Sequence, residues 1–470
     1  MPLKRFFAEL AWAGRAEVDT KAALRAAGDV ITGAQIARDV MIEVDDGRIT
    51  KVTPGEVQDA ESVRLTGLTI PGLANAHSHA FQRALRGRTH QGAGDFWTWR
   101  EAMYETASAL DPDRYYALAR ATYAEMALAG ITAVGEFHYL HHGPGGRAYG
   151  DPNEMGRALI AAARDAGIRI TLLDCCYLRG GFDRPLDGVQ VRFGDGDAER
   201  WAERMEDLLG SQSDTVLVAA AIHSVRAVDP KAMATVARFA SEHEMPIHVH
   251  VSEQRSENEA CLEATGHTPV GQLARTGVLG PSTTAIHATH LDEADVVTLG
   301  RSGAHVCMCP TTERDLADGV GPARALARAG SPLCLGTDSH ASIDLFEEAR
   351  AVELDERLIT ERRGHHRAPD LLHAATAAGM QSLGWNGGVL EPGAPADFVT
   401  LDLASVRLAG VEPSSVLEHL VFAASAADVV GVIVGGEQVV AARRHTKVPD
   451  VARSLSQAIK AVVEPAAVAP

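Results

Sequence analysis

The stretch that decides the fold is Gly67-Leu-Thr-Ile-Pro-Gly-Leu-Ala-Asn-Ala-His77-Ser-His79-Ala-Phe-Gln82. An apolar run leads into Pro71-Gly72, and two histidines one residue apart come after it. On an extended strand end, side chains two residues apart share a face. Two imidazoles on one face can hold one metal ion between them. Alone, such a pair reads equally well as two polar loop residues. Its weight comes from the rest of the chain.

Counting this one, eight short apolar runs succeed one another along the chain: 68–74, 131–136, 168–175, 216–222, 246–251, 284–287, 304–309 and 333–337. Most are separated by helical patterns, including 114–129, 154–166, 231–244 and 319–329. Near-continuous apolar strands alternating with helices predict a parallel sheet covered by helices. Eight such units fit a closed (β/α)8 TIM barrel, an α/β fold. A doubly wound open sheet is the competitor, but no glycine-rich phosphate loop follows the first strand. Outside the barrel the grammar is strand and turn. Residues 5–12 read as a strand, and 41–44 and 48–52 flank Asp45-Asp46-Gly47 as a hairpin. The alanine-rich residues 18–38 read as a loop with a short helix. Residues 397–402 and 429–434 are further strands. These segments predict a small split β-sandwich domain built from 1–67 and 385–448, around a barrel over 68–384, with 449–470 a C-terminal helix and tail.

Composition narrows the function classes. The 470 residues carry a net charge of -18, which repels phosphate backbones, and no local basic patch offsets it, so a nucleic-acid partner is not expected. No stretch reads as a signal peptide or a membrane span. The six cysteines, Cys175, Cys176, Cys261, Cys307, Cys309 and Cys334, sit mostly in or beside apolar strands without disulfide or zinc-knuckle spacing. They read as buried thiols of a cytoplasmic protein.

In a barrel of this kind the C-terminal strand ends carry the chemistry. Strand one ends at His77 and His79, strand two at Glu136 with His138 and Tyr139, and strand four at His223 with Arg226. Strand five holds His248 and His250, then Glu253. Strand six ends at His287 and His290, and strand eight at Asp338 and His340. A single strand-end histidine is usually a hydrogen-bonded loop or core residue. Histidines or acids at six of the eight ends point to a site. His77, His79, His250 and Asp338 can supply the first shell of one divalent ion, which lowers the pKa of a bound water. Glu253 can move a proton between water and a departing group. His287 can hydrogen-bond to the water or the substrate. The His- and Gly-rich segment 138–151 suggests a cover over this site.

These motifs resemble the amidohydrolase superfamily: Pro71-Gly72-Leu-Ala-Asn-Ala-His77-Ser-His79, His250-Val-Ser-Glu253, His287 and Gly336-Thr-Asp338-Ser, in that order. More narrowly, the chain is similar to the deiminases of N-formimino-L-glutamate. The marks are His79-Ala-Phe-Gln82-Arg, Phe96-Trp-Thr-Trp-Arg100-Glu-Ala-Met-Tyr104, Gly135-Glu-Phe-His-Tyr139 and His223-Ser-Val-Arg226. The resemblance implies zinc on His77, His79, His250 and Asp338, with Glu253 as proton shuttle. It implies that His287 and Asp338 position and deprotonate the water, and that His223 contacts the formimino group. Gln82, Arg100, Tyr139 and Arg226 would hold the two carboxylates of a small dicarboxylate substrate. It implies a homodimer without an organic cofactor, acting in histidine degradation.

Two arginines suit a dicarboxylate on chemical grounds too, because a guanidinium fork matches a carboxylate. Binuclear members of the superfamily bridge their metals with a carboxylated lysine at a strand end. Of the six lysines here only Lys231 falls inside the barrel, at a helix start, so one zinc per subunit is expected. Two other readings stay open. One is an aminohydrolase of a guanine, cytosine or adenosine-like ring, which the aromatic cluster Phe96, Trp97 and Trp99 would serve by stacking. The other is a non-catalytic barrel scaffold that binds a partner.

Overall fold

The structure is a computed structural model that describes residues 3–14, 36–90 and 96–464. The short-helix reading of 18–38 therefore falls almost wholly outside the described residues, as do 465–470. Two eight-stranded sheets organise the rest.

The first sheet is built from both ends of the chain. Strands β1 (Lys4–Trp12), β2 (Ile36–Asp45), β3 (Arg48–Thr53) and β4 (Val63–Pro71) come from the N-terminal part. The barrel strands come next in the chain: β5 (Leu73–Ser78), β6 (Ile131–His138), β7 (Arg169–Cys176), β8 (Val216–Ile222), β9 (Ile247–Val251), β10 (Thr283–His287), β11 (His305–Met308) and β12 (Leu333–Leu335). Strands β13 (Phe398–Leu401), β14 (Val429–Val434), β15 (Glu437–Ala441) and β16 (Arg444–His445) complete the terminal sheet. Its order is β16-β15-β14-β13-β4-β1-β2-β3. The pair β1 and β4 is parallel and the others are antiparallel.

The apolar run over 68–74, expected as one barrel strand, is two strands in two sheets. Leu68 to Pro71 pairs with β13, and the barrel begins at Leu73. The break has a local cause. A Cβ on Gly72 would lie 2.1 Å from the Thr132 hydroxyl, so only glycine lets the chain pass from one sheet to the other here. The two sheets are also tied below the barrel by the buried Arg169, whose Nε donates to Asp397 at 2.6 Å.

All eight barrel strands are parallel, in the order β5 to β12. The ring closes between its ends by a parallel bridge from Ser78 to Asp338. The barrel strands are buried along nearly their whole length, as the continuous apolar runs require. The expected helices are present, with capped ends. Asp111 accepts from Arg114 N to start Pro112–Leu128, and Asp229 starts Pro230–Glu242. Gly167 ends Glu154–Ala166 in the left-handed conformation. The segment expected over 319–329 is a shorter helix, Ala323–Ala329, because Gly319 at φ 119 cannot belong to it. The C-terminal helix Val451–Val463 buries Val451 and Leu455 against Ala121 and Ala124 of Pro112–Leu128. All six cysteines are free and buried. Among the described residues no helix is long and apolar enough to cross a membrane.

Candidate metal and active site

His77 closes β5 with Ser78, and His79 follows it, so both rings point into the top of the barrel. There they meet His250 from β9 and Asp338 from the loop after β12. His77 Nε2 lies 3.2 Å from Asp338 Oδ1 and 3.2 Å from His250 Nε2, and His79 Nε2 lies 3.6 Å from the same carboxylate oxygen. The other ring nitrogens of His79 and His250 face backbone. His79 Nδ1 is 3.0 Å from the Phe137 carbonyl and His250 Nδ1 is 2.9 Å from the His223 carbonyl. A carbonyl only accepts, so both imidazoles carry their proton on Nδ1 and present a lone pair from Nε2. Burial pushes the histidines down, His79 to about 3 and His77 and His250 also below the usual range, which favours their neutral form. Asp338 is held well below the carboxylate range, its burial outweighed by His77 and its neighbours. Neutral imidazole nitrogens and an ionised carboxylate, packed together with lone pairs converging, fit a divalent cation and little else. His77, His79 and Asp338, and likewise His77, His250 and His287, bring their donor atoms within 4.8 Å of one another.

His287 stands across from these residues. Its Nε2 is 3.8 Å from Glu253 Oε1 and 3.7 Å from Asp338 Oδ2, and its Nδ1 is 3.4 Å from Glu313 Oε1. Burial would lower its pKa, but the Glu253, Glu313 and Asp338 carboxylates raise it to about 10. Burial raises Glu253 to about 7. The backbone is strained where these side chains leave the barrel. Ser252, His287, Ala288, Asp338 and His340 all have φ between 43° and 67°, a conformation that costs side-chain-bearing residues free energy and concentrates at functional sites.

A cleft that opens to solvent lies over this cluster. Its walls hold Gln82, Arg100, Tyr139, His223 and Arg226 together with His79, His250, Glu253, His287 and Asp338. Thus the residues singled out in the sequence converge on one cleft, with His77 buried directly behind it. Gln82 Nε2 donates to the Tyr139 hydroxyl at 3.3 Å. Arg100 lies over the Trp97 ring at 4.3 Å and the Tyr104 ring at 5.5 Å. Its helix, Phe96–Ser108, is held at its C-terminal end by the buried Arg192, which donates to the carbonyls of Ala107, Ser108 and Leu110. Lys231 is exposed at a helix start, away from the cluster.

Other strand-end residues go elsewhere. His248 faces the Ser382 carbonyl at 2.8 Å, and His290 that of Asp318 at 2.8 Å. Glu136 supports the metal loop from below, accepting from Ser78 Oγ at 2.6 Å and Ala80 N at 2.7 Å. Burial raises its carboxyl to about 8. The segment 138–151 gives the cleft Tyr139, but His138, His141 and His142 turn away from it into a second buried cluster. Arg204 occupies the middle of that cluster, bonded to Asp174 and Asp195, and supplies the positive charge there itself. Sequence reasoning passed over Tyr177, whose ring is 4.3 Å from His223, and Glu313 behind His287. Tyr177 directly succeeds the third strand, from which sequence reasoning had singled out no residue for the site.

Comparison with known proteins decides the family. A model described as the amidohydrolase family matches residues 68–439. The chain belongs to the amidohydrolase family. The formimidoylglutamate deiminase of Pseudomonas aeruginosa is 36% identical over 436 residues, which cover 90% of this chain and 96% of that protein. The 8-oxoguanine deaminase of the same organism is 31% identical, covering 84% of this chain and 88% of that one. Among solved structures, an amidohydrolase from Brucella melitensis superposes with a TM-score of 0.87 at 30% identity, covering 98% of this chain and 99% of its own. An adenosine deaminase from Xanthomonas campestris with bound zinc shares the fold at a TM-score of 0.80 and 23% identity, over 97% of this chain and 98% of its own. Hydrolytic amidohydrolase chemistry at a metal-binding cluster is therefore the function of this site.

Proposed function

We propose that this protein hydrolyses N-formimino-L-glutamate to N-formyl-L-glutamate and ammonia with one zinc ion per subunit. The observation that carries the reading is the cleft wall. Two arginines, Arg100 and Arg226, line the same cleft as the His and Asp cluster in a protein of net charge -18. Two guanidinium groups match two carboxylates. The 36% identity to a formimidoylglutamate deiminase supports the same substrate.

His77, His79, His250 and Asp338 would hold the zinc, which when bound activates water and polarises the carbon under attack. The chain's own residues do the rest. Arg100, Arg226, Gln82 and Tyr139 fix the carboxylates, and His223 meets the formimino group. His287 and Asp338, 3.7 Å apart, orient the attacking water, and the Asp338 carboxylate accepts its proton. The three carboxylates around His287 favour its protonated form, which donates a hydrogen bond from Nε2. Glu253, raised to about 7, exchanges a proton near neutral pH and delivers it to the departing nitrogen. The oxygen of water becomes the formyl oxygen, the terminal carbon–nitrogen bond breaks, and that nitrogen leaves as ammonia.

The test is ammonia release by zinc-loaded protein from N-formimino-L-glutamate, compared with release from guanine, 8-oxoguanine, cytosine and adenosine, with the organic product identified. N-formyl-L-glutamate as the product supports the reading. Preferred release from a ring substrate assigns the aromatic wall of Phe96 and Trp99 to stacking. Formamide and glutamate would mean that the other carbon–nitrogen bond is cut.

A further inference from the structure

Two buried atoms beside the cleft lack hydrogen-bond partners among the described residues, and they face each other. They are Arg226 Nε and Glu257 Oε1, 3.8 Å apart. Arg226 follows β8 by four residues and lines the cleft. Glu257 does not line it. It is the third residue of the helix Arg255–Thr265, immediately after the loop that carries Glu253. Its side chain is only 4% exposed. Glu257 follows Glu253 by four residues, on the helix into which that loop runs. It thus sits beside the guanidinium of Arg226, on the helix that begins just after Glu253.

We infer that Glu257 is a positioning residue for Arg226, holding the Nε edge of the guanidinium so that its remaining N–H groups meet a substrate carboxylate. This rests on the dicarboxylate reading of the cleft. The physical case is one of pre-organisation. Arginine has several rotamers, and freezing them at the moment of binding costs affinity. A buried anion on the far edge fixes the fork beforehand. It also offsets the cost of keeping an unpaired guanidinium out of water before substrate arrives. At 3.8 Å the pair attracts without being locked in a hydrogen bond, so the fork can settle onto a carboxylate.

The experiment is steady-state ammonia release from N-formimino-L-glutamate by zinc-loaded wild type, Glu257→Gln, Glu257→Asp, Arg226→Met and the double variant E257Q/R226M. Product inhibition by N-formyl-L-glutamate is measured alongside. The expected result for Glu257→Gln is a KM and a product Ki raised about tenfold or more, with kcat within about threefold of wild type. Glu257→Asp, which keeps the charge, recovers part of the loss. In the Arg226→Met background, adding Glu257→Gln raises KM no further. If Arg226→Met raises KM and Glu257→Gln leaves it within about twofold, the inference is overturned while the dicarboxylate reading stands. If Arg226→Met itself leaves KM unchanged, both fall. An equal fall in kcat that persists in the double variant marks a merely structural role and overturns the inference. Should Glu257→Gln not fold, Glu257→Asp decides, since an unchanged KM there also overturns it.

Discussion

Replacing Arg204 by methionine tests whether the second polar cluster of the barrel is a structural ion network. Arg204 lies on the helix Ala198–Leu209 and makes five close contacts. It donates to both oxygens of Asp174 at 2.8 Å, to those of Asp195 at 3.0 and 2.9 Å, and to Asn153 at 3.1 Å. The two carboxylates are 0% and 7% exposed. Without the guanidinium, Asp174 keeps only Trp201 Nε1 at 3.0 Å and Asp195 keeps His142 at 3.0 Å among these strong donors. Removing one partner of such a buried network costs about 3–5 kcal/mol. With roughly 2 cal/mol/K of unfolding entropy per residue over a chain of this length, that lowers Tm by about 3–5 °C if unfolding is one transition. The pH dependence has a definite sign. Both aspartates are shifted below the ordinary value, their burial outweighed by Arg204 and, for Asp195, by His142. A depressed carboxylate stabilises the fold above its unfolded pKa of about 3.9 and loses that contribution as pH falls through the folded value. The Tm gap between wild type and variant is therefore full at about pH 6 to 7 and shrinks below about pH 4. The assay is thermal unfolding by circular dichroism from about pH 3 to 7. A gap under about 1 °C at neutral pH, or one that widens in acid, refutes the reasoning.

Four further outcomes are expected. Arg226→Met lowers kcat/KM on N-formimino-L-glutamate more than Arg100→Met does, by about 100-fold against about 10-fold, because Arg226 has a buried Nε backed by Glu257 and charge-assisted hydrogen bonds strengthen out of water. Steady-state kinetics of the two variants measure this. Glu253→Gln retains its metal by elemental analysis and loses about 100-fold or more in kcat, whereas turnover at the wild-type rate, or absence of metal from the intact protein, favours the non-catalytic scaffold. Chelation removes activity and zinc restores it, and metal analysis of the reloaded protein gives one equivalent per subunit with Lys231 unmodified in its mass spectrum. Glu136→Ala weakens zinc affinity about 10- to 100-fold in a chelator competition, since it removes the acceptor for Ser78 Oγ and Ala80 N on either side of His79.

Legibility in the sequence tracks the reach of local pattern. Barrel strands declare themselves because a strand buried on both faces must be apolar along its length, as Val216–Ile222 is. The exception at Leu68 is instructive. One apolar run served two sheets, and the signal that divides it is the close approach of Gly72 to Thr132, a contact between residues far apart in the chain. The cleft residues were legible because the fold puts chemistry at strand ends, so each histidine or acid there had a meaning before its neighbours were known. Glu257, Glu313 and Arg204 had no such mark. They sit within helical segments, where a charged residue ordinarily faces solvent. Their inward direction depends on which buried partner faces them, and a single sequence does not state that.

Three of the four candidate metal residues, His77, His79 and Asp338, also occupy the seam where the barrel closes. Strands β5 and β12 are joined through the site itself. Asp338 N donates to the His77 carbonyl at 3.0 Å, and His79 N donates to that of Asp338 at 3.1 Å. The side chains repeat the connection, Asn75 Nδ2 to Thr337 Oγ1 at 2.7 Å and Thr337 N to Asn75 Oδ1 at 2.9 Å. His340 joins Thr337 and Ser78 across the same gap at 2.9 and 3.1 Å. Asp338 and His340 both hold positive φ here, each at a cost on the order of 1–3 kcal/mol. These hydrogen bonds among buried groups offset that strain and fix the backbone from which the Asp338 carboxylate reaches His77 and His79. Closing the barrel and assembling the ligand cluster are consequently one structural event. This gives a physical reason for His77, His79 and Asp338 to stand at strands one and eight, the two that only closure brings together, facing His250 from the fifth.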